Sequence, residues 1–556
     1  MTTNSLNQTS CILCSGTRLE YEFMVENYPL FRCRDCNFMF LNPSPSGEML
    51  KELLPKTHLA DDEDSEKHKI EDSLKYETAI QYIEYFKKYA NTIGKKLLEI
   101  GGDDGVFLRA AKEKGFEVTG LVSSQKNAEY INSILGGSYV HEGSIESADL
   151  PNAYFDICVL RDELHFHQDP VKFLQKIHTI IKPDGILFLT IPSVDSLSAR
   201  MMRQNWFKFK PYHLFYFDKL TIQNALTRAG FSCIHVEPDK KYVSLEYIHK
   251  QFKKYRIPSY VSLLSLVRAL FPFSVSQKYF NLHLSGMSVI CRASELRKRP
   301  LLSVIMPVYN ERNTFPEVMD LLLKKKINEI DREIIIVESN STDGTREEVM
   351  KFKEYSGIKI VLEDCPMGKG HAVRTGLKQS EGDFVLIQDG DLEYDLNDYD
   401  ILLEPLITGK TAFVIGTRHV KGWKIRQFQQ FFLADILNMG HWLLAGLMNL
   451  LYRQSMTDPF TMYKVFRRDC LFGLEFECNR FNFDIELVCK LLRKGYTPLE
   501  IPINYTARSF SEGKKVKLLN DPPTWIKAIF KYRLTQVYFP YVTSHKVSEK
   551  EKAEIC

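Results

Sequence analysis

An α/β protein, with two sheet-forming units behind a four-cysteine ribbon, is the fold class this sequence predicts. Three observations predict it. Phe384-Val385-Leu386-Ile387 reads as a buried strand and stops abruptly at Asp389, Asp391 and Glu393. Strand-like runs alternate with helical patterns twice, across residues 91–296 and again across 297–540, as in mostly parallel sheets crossed by helices. Two Cys-x-x-Cys pairs, Cys11/Cys14 and Cys33/Cys36, precede both.

The 556 residues suffice for roughly two to four domains with full cores. A hydrophobic content of 44% and a charged content of 26% exclude a disordered or fibrous chain. The net charge of +3 is too small to argue for a nucleic-acid partner. Met1 to Ser10 is polar and lacks the apolar core of a secretion signal. The stretch Ile436 to Tyr452 is interrupted by Asn438, His441 and Asn449, so no spanning helix is expected. A cytoplasmic protein follows, one that can touch the inner face of a membrane.

Residues 1–45 form the expected ribbon. The two cysteine pairs, 18 residues apart, match a C-x2-C…C-x2-C zinc pattern, and four thiolates close a tetrahedral, structural Zn²⁺ site with no open position for catalysis. Leu19, Tyr21, Phe23 and Val25 alternate between them as a strand would. Residues 46–90 read as a helical linker. Asp61, Asp62, Glu63 and Asp64 suit a solvated turn, and Ile70, Leu74, Ile80, Ile83 and Phe86 an amphipathic helix.

In residues 91–296, Lys96 to Ile100 is a strand, Gly101-Gly102-Asp103-Asp104-Gly105 a glycine turn, and Phe107 to Lys114 a helix. Phe116 to Val122, Tyr154 to Leu160 and, after the turn Lys182 to Gly185, Ile186 to Pro192 read as further strands. Such a unit can hold a nucleotide-like ligand at its glycine turn, and an acidic turn suits a neutral or cationic one. With the cysteine ribbon, the E-I-G-x-x-D-G motif, His213 to Phe217 and the late strand Met287 to Cys291, it resembles class I S-adenosylmethionine-dependent methyltransferases, in particular the zinc-ribbon enzymes of sugar and natural-product pathways. The resemblance implies a Rossmann-like domain in which Glu99, Gly101, Asp104 and Gly105 line the amino-acid end of S-adenosylmethionine. Two departures stand out. Val122-Ser123-Ser124 replaces the acid that holds the ribose hydroxyls, and His165-Phe166-His167-Gln168-Asp169-Pro170 replaces a Glu-His ahead of Asp-Pro. His165 and His167 read as a base or as polar rim residues. Residues 252–285, aromatic and basic, suit a cover over the site or a patch meeting the second unit.

In residues 297–540, strands Leu301 to Val308, Glu333 to Glu338, Ile358 to Leu362, Phe384 to Gln388 and Phe413 to Thr417 end in polar loops. Asp389 and Asp391 are hard oxygen ligands that suit Mg²⁺ or Mn²⁺, which in turn holds a diphosphate. Gly390 between them leaves room for a ligand. P-V-Y-N-E, S-T-D-G-T, G-K-G, D-G-D-L-E and a late arginine motif together resemble glycosyltransferase family 2, of the GT-A fold, nearest the branch of dolichol-phosphate mannose synthases and bacterial polyprenyl-phosphate sugar transferases. The resemblance implies a nucleotide-sugar site lined by Pro307, Tyr309, Glu311, Glu338, Ser339 and Lys369, with Glu393 completing or orienting the metal shell. Ser339 stands where the family carries a second acid. Arg418 can face anionic groups. Asp458 is the candidate for acceptor positioning, or for general base if the acceptor is a hydroxyl. Asp484 is a second acid or a helix cap. Arg508, Lys514 and Lys515 suit a loop that clamps phosphates. Phe428, Phe431, Phe432, Leu433, Trp442, Leu443 and Leu444, then Trp525, Ile526, Ile529 and Phe530, suit interfacial helices or packed core helices. Residues 541–556 are a charged tail.

The expected activity is metal-dependent, inverting transfer of a sugar from a nucleotide donor to a polyprenyl phosphate or a glycan, fused to a methyltransferase of surface-glycan biosynthesis. The rival reading keeps the transferase and makes the first half an inactive binding or scaffold module.

Overall fold

The computed structural model describes residues 8–54, 66–89, 95–102, 104–244, 248, 280–294, 299–327, 330–419, 431–471, 473–506 and 521–535. The chain packs as two units, Met1–Leu296 and Arg297–Cys556.

The first unit holds β1 (Leu19–Val25), β2 (Tyr28–Cys33), β3 (Met39–Leu41), β4 (Lys96–Ile100), β5 (Glu117–Val122), β6 (Val140–Glu142), β7 (Phe155–Arg161), β8 (Ile181–Pro192), β9 (Phe215–Tyr216), β10 (Phe231–Val243) and β11 (Phe280–Ala293). Seven of them form a sheet in the order β10-β11-β8-β7-β4-β5-β6, and four form the ribbon sheet β1-β2-β3-β9. β4 to β8 run parallel, while β11 is antiparallel to both β8 and β10. The predicted turn at Lys182–Gly185 lies inside β8 as an irregularity, with Ile181 opposite Phe155 and Ile186 opposite Ile157. Asp184 there adopts the left-handed conformation, φ +61°.

The ribbon does not stand apart. β9 completes its sheet through β3, and Phe38 packs its ring against Phe215 and Phe217. Within β1 the expected alternation is weak, since Val25 is buried while Tyr21 is 53% exposed. The helix Glu66–Lys87 likewise belongs to this core. Leu74, Ile83 and Phe86 are buried, and Phe86 meets Phe107, Phe116 and Phe188. Residues 61–64 and most of the 252–285 stretch lie outside the described residues.

The second unit has one seven-stranded sheet of β12 (Leu301–Val308), β13 (Asp331–Glu338), β14 (Ile358–Leu362), β15 (Phe384–Ile387), β16 (Phe413–Thr417), β17 (Lys464–Arg467) and β18 (Leu499–Pro502). Their order is β14-β13-β12-β15-β17-β16-β18. The first four positions are parallel, and β17 alone runs antiparallel to both its neighbours. This strand was not expected. Val465 and Phe466 are too short an apolar run to signal a strand on their own. Its insertion between β15 and β16 carries the preceding loop, with Asp458, to the end of β16, where it meets Arg418.

Candidate functional site

The carboxyl ends of β12, β13 and β15 in the second unit converge through hydrogen bonds, not merely by adjacency. Thr345 accepts from the Glu311 amide, and Asp343 accepts from the Arg312 amide. Asn310, held at φ +49°, accepts from the Thr342 amide. Thr314 donates to the Gly390 carbonyl at 3.0 Å and lies 2.9 Å from the Glu311 carboxylate. The P-V-Y-N-E, S-T-D-G-T and D-G-D segments are thus one braced structure, with Pro307, Tyr309 and Glu311 half-buried along it. Thr314 carries no chemical signature in sequence, and only the fold reveals that it ties two of these loops together.

Lys369 opens the helix Lys369–Gln379. Its flanking glycines are required by close packing. A Cβ at Gly368 would lie 2.5 Å from the Asn479 carbonyl, and one at Gly370 2.6 Å from that of Cys478. Pressed in this way, the helix start delivers the Lys369 ammonium to within 2.5 Å of Asp389. Burial works against the Lys369 charge, but Asp389, Asp484 and Asp391 outweigh it and raise the pKa. Asp391 is buried and caps the Glu393 amide at 3.1 Å.

Several sequence expectations are corrected here. Asp389, Asp391 and Glu393 do not gather as three metal-ligand atoms. Among the described residues, the one such group within 4.8 Å is Cys11, Cys14, Cys33 and Cys36. The turn capped by Asp391 carries Glu393 to the Tyr505 hydroxyl instead, at 3.1 Å. Asp458 is fully buried, with Arg418 donating to both its oxygens at 2.7 and 2.8 Å. Burial opposes its ionisation, yet the Arg418 charge holds it well below the usual carboxylate range. By the same pairing, the Arg418 guanidinium is engaged by Asp458 rather than standing open toward anionic groups. Glu338 is not an open acceptor either, being fully buried and bonded by the Ser341 amide and Arg346. Ser339 donates to Glu363 at 2.7 Å, and His371 lies 2.6 Å from the other oxygen of Glu363. The acid missing at 339 is therefore matched by one from the end of the neighbouring strand, which a motif at 338–339 cannot show. Asp484 is no N-cap, a position that Asn482 holds. It lies 3.4 Å from the buried Lys464 ammonium. Arg508, Lys514 and Lys515 lie outside the described residues, as does Phe428.

In the first unit the turn after β4 is also glycine-dependent. Gly101 and Gly105 take φ +78° and +65°, and a Cβ at Gly105 would strike Ile131 at 2.7 Å. Glu99 is buried at 1% exposure and accepts from Arg161 at 2.6 Å. The same guanidinium reaches Asp104 at 3.1 Å, and Lys75 reaches it at 3.3 Å. Burial opposes the charge on Asp104, but Arg161 and Lys75 prevail and lower its pKa to about 2. Arg161, at the end of β7, was not singled out from sequence. His165 is no rim residue. It is buried against His213, ring centroids 4.1 Å apart, and burial lowers its pKa to about 3. His167 stacks on Phe173 and lies 3.1 Å from Glu163.

The four cysteines are buried, with Cys11 and Cys36 sulfurs 3.6 Å apart and those of Cys14 and Cys33 3.5 Å apart. A tetrahedral ion with metal–sulfur bonds of about 2.3 Å sets its sulfurs about 3.8 Å apart. The cluster fits such an ion.

Residues 303–471 match the family model described as Glycosyl transferase family 2, and residues 70–236 match that of a Methyltransferase domain. The chain therefore joins a family 2 glycosyltransferase domain to a methyltransferase domain. Over 213 residues it is 26% identical to a dolichol-phosphate mannosyltransferase of Pyrococcus furiosus, a match covering 38% of this chain and 58% of that relative. Over 230 residues it is 27% identical to dolichyl-phosphate beta-glucosyltransferase ALG5D of Trichomonas vaginalis, covering 39% of this chain and 68% of the relative. The glycosyltransferase domain is similar to glucosyl-3-phosphoglycerate synthase from Mycobacterium tuberculosis, solved with Mg²⁺ and uridine diphosphate, at 20% identity, 42% and 79% coverage of the two chains and a TM-score of 0.33. The methyltransferase domain is similar to an S-adenosylmethionine dependent methyltransferase from Mesorhizobium loti, at 17% identity, 36% and 93% coverage and a TM-score of 0.26. Among the described residues, no helix is long and apolar enough to cross a membrane.

Proposed function

We propose that this protein transfers a sugar, with inversion, from a nucleotide-diphosphate donor to a polyprenyl phosphate. The observation that carries the reading is the braced meeting of Pro307–Glu311, Asp343–Thr345 and Asp389–Asp391 at one sheet edge, within a family 2 domain. The donor set of Asp389 and Asp391 suits Mg²⁺ or Mn²⁺, and such an ion, when bound, draws charge off the departing diphosphate. Tyr309, Glu311, Ser339 and the Glu363–His371 pair are assigned to the nucleoside, and Arg508, Lys514 and Lys515 to the phosphates. A phosphate acceptor is already ionised and needs no base, which agrees with an Asp458 paired with Arg418. The Pyrococcus and Trichomonas relatives are named for dolichol phosphate, which favours the lipid phosphate over a growing glycan.

A lipid acceptor calls for a membrane-facing surface. The helix Phe431–Tyr452 exposes Met439, Trp442, Leu443 and Leu450, and the helix Asp521–Leu534 exposes Ile526, Phe530 and Leu534 beside Lys527, Lys531 and Arg533. Apolar stripes flanked by cations suit the cytoplasmic face of an anionic bilayer. Nucleotide release from a panel of nucleotide sugars, with Mg²⁺ or Mn²⁺ and with or without polyprenyl phosphate, tests the whole reading. Release that is equal with and without the lipid phosphate sinks the acceptor, and release unaffected by chelation sinks the metal.

For the methyltransferase domain, the acidic turn at Glu99 and Asp104, with the Glu163 carboxylate beside Gly101, suits the cationic end of S-adenosylmethionine, which would supply a methyl group to a sugar of the same pathway. The ribose end offers Val122, Ser123 and Ser124 and no carboxylate, and this favours, as a second reading, a module that binds or scaffolds without methylating. Calorimetry with S-adenosylmethionine separates the two, since absence of binding leaves only the scaffold.

A further inference from the structure

Lys369 belongs by family likeness to the nucleotide or its phosphates, yet it sits on Asp389 at 2.5 Å in the folded protein. Three features make this a built arrangement. The two glycines beside it are pinned against the backbone of residues 478–480, so the helix start cannot drift. The His371 amide is anchored to the Asn479 carbonyl at 3.1 Å. Its side chain and that of Asp389 are 20% and 13% exposed, so water screens the pair poorly. Around the ammonium stand Asp389, Asp391 and Asp484, while Lys464, 3.4 Å from Asp484, already balances one of these charges. Lys369 thus pairs directly with Asp389 and lies in the field of Asp391.

From this we infer that Lys369 is a resident counter-ion of the aspartate pair, which a divalent ion must displace, freeing the ammonium for the donor diphosphate. A lysine suits this task. Its charge is a point on a flexible stem with no fixed fork to break, so it can swing between two anionic partners without refolding its surroundings. The arrangement makes metal and donor mutually dependent. Metal alone competes with Lys369, and metal arriving with a diphosphate gives the displaced ammonium a new partner. No bond is made or broken in the exchange.

The inference rests on the metal reading above and is tested without turnover. Mn²⁺ binding to the full chain, free of nucleotide, is followed by the electron paramagnetic resonance of free Mn²⁺. Lys369→Gln is expected to bind Mn²⁺ at least about tenfold more tightly than the native protein, because one competing charge is gone. Lys369→Arg, which keeps the charge, is expected not to tighten. Equal affinity in native protein and Lys369→Gln, or binding in neither, overturns the displacement. Should Lys369→Gln fail to fold, the native protein answers alone. Mn²⁺ is then expected to raise acylation of Lys369 by an amine reagent several-fold, read by mass spectrometry, and unchanged labelling overturns the inference. The metal reading itself is judged separately, by turnover of Asp391→Asn.

Discussion

Each unit of this chain ends a parallel strand in carboxylates and sets a cation against them, yet the two cations are of different kinds. In the first, Arg161 spans Glu99 and Asp104 together, with Lys75 behind, and Glu99 is sealed from solvent. In the second, Lys369 meets Asp389 with a single ammonium, and both side chains keep some exposure. A guanidinium bonded at two ends fixes geometry, whereas an ammonium on a flexible stem gives way to a stronger cation. The first arrangement builds a glycine turn. The second keeps an acidic site ready for a visitor. The Arg418–Asp458 pair shows that the second unit also uses the fixed kind, where the loop after the helix Phe431–Tyr452 is tied to the end of β16.

The largest expected effect breaks the comparison at its exchangeable end. Asp391→Asn should lower sugar transfer at least about a thousandfold while leaving the thermal midpoint of unfolding nearly unchanged, because the carboxylate is assigned to the metal rather than to the core. Transfer that survives would make this strand end as structural as the other. Next comes the fixed pair. Arg418→Ala strands the fully buried Asp458 charge and should cost the second unit about 3 kcal/mol or more, read from urea unfolding. A loss of activity without loss of stability would instead return Arg418 to the ligand. Smaller still, Ser339→Ala removes one neutral donor to Glu363 and should cost about 1 kcal/mol of stability; a shift in which nucleotide binds, measured by calorimetry, would extend the nucleoside site to Glu363 and His371.

The central strands of both sheets were legible in sequence because they are apolar runs ending in glycine or acid, as at Leu97–Gly101 and Ile334–Glu338, whereas β6, β10 and β18 were not foreseen. The family motifs likewise point to the strand ends that the fold brings together. What escaped was pairing. Arg161, Thr314, Glu363 and Tyr505 each bind at least one group far along the chain, and nothing in their neighbourhoods marks them. The same blindness made Asp458, Arg418 and Glu338 look available. A charged residue in a motif shows that a charge is wanted there, but not whether it faces a ligand or an internal partner, because that depends on burial and on long-range register. β17 escaped for a related reason, since a four-residue strand borrows its identity from the two strands it lies between.

The fixed arrangement of the first unit has a pH signature on the acid side. Asp104 has a folded pKa of about 2, against the ordinary 3.8 of an aspartate, and its side chain is only 20% exposed. A carboxyl depressed on folding contributes stability that is fully present above its unfolded pKa and is lost as pH falls through the folded one. The difference amounts to about 2 kcal/mol, present above about pH 4 and gone by about pH 2. Trp206 is buried and is the first unit's own tryptophan, so with Trp423, Trp442 and Trp525 replaced by Phe its fluorescence reports this unit's unfolding alone. Native protein should exceed Asp104→Asn by a constant margin from pH 7 to about pH 5, and the margin should close as the carboxyl takes up its proton. A margin that stays open at the acid end would show that Asp104 acts by shape or capping, through its bond to the Val106 amide, and not through the charge of Arg161. The guanidinium would then be holding Glu99 alone, and the first strand end would resemble the second, with one cation on one acid.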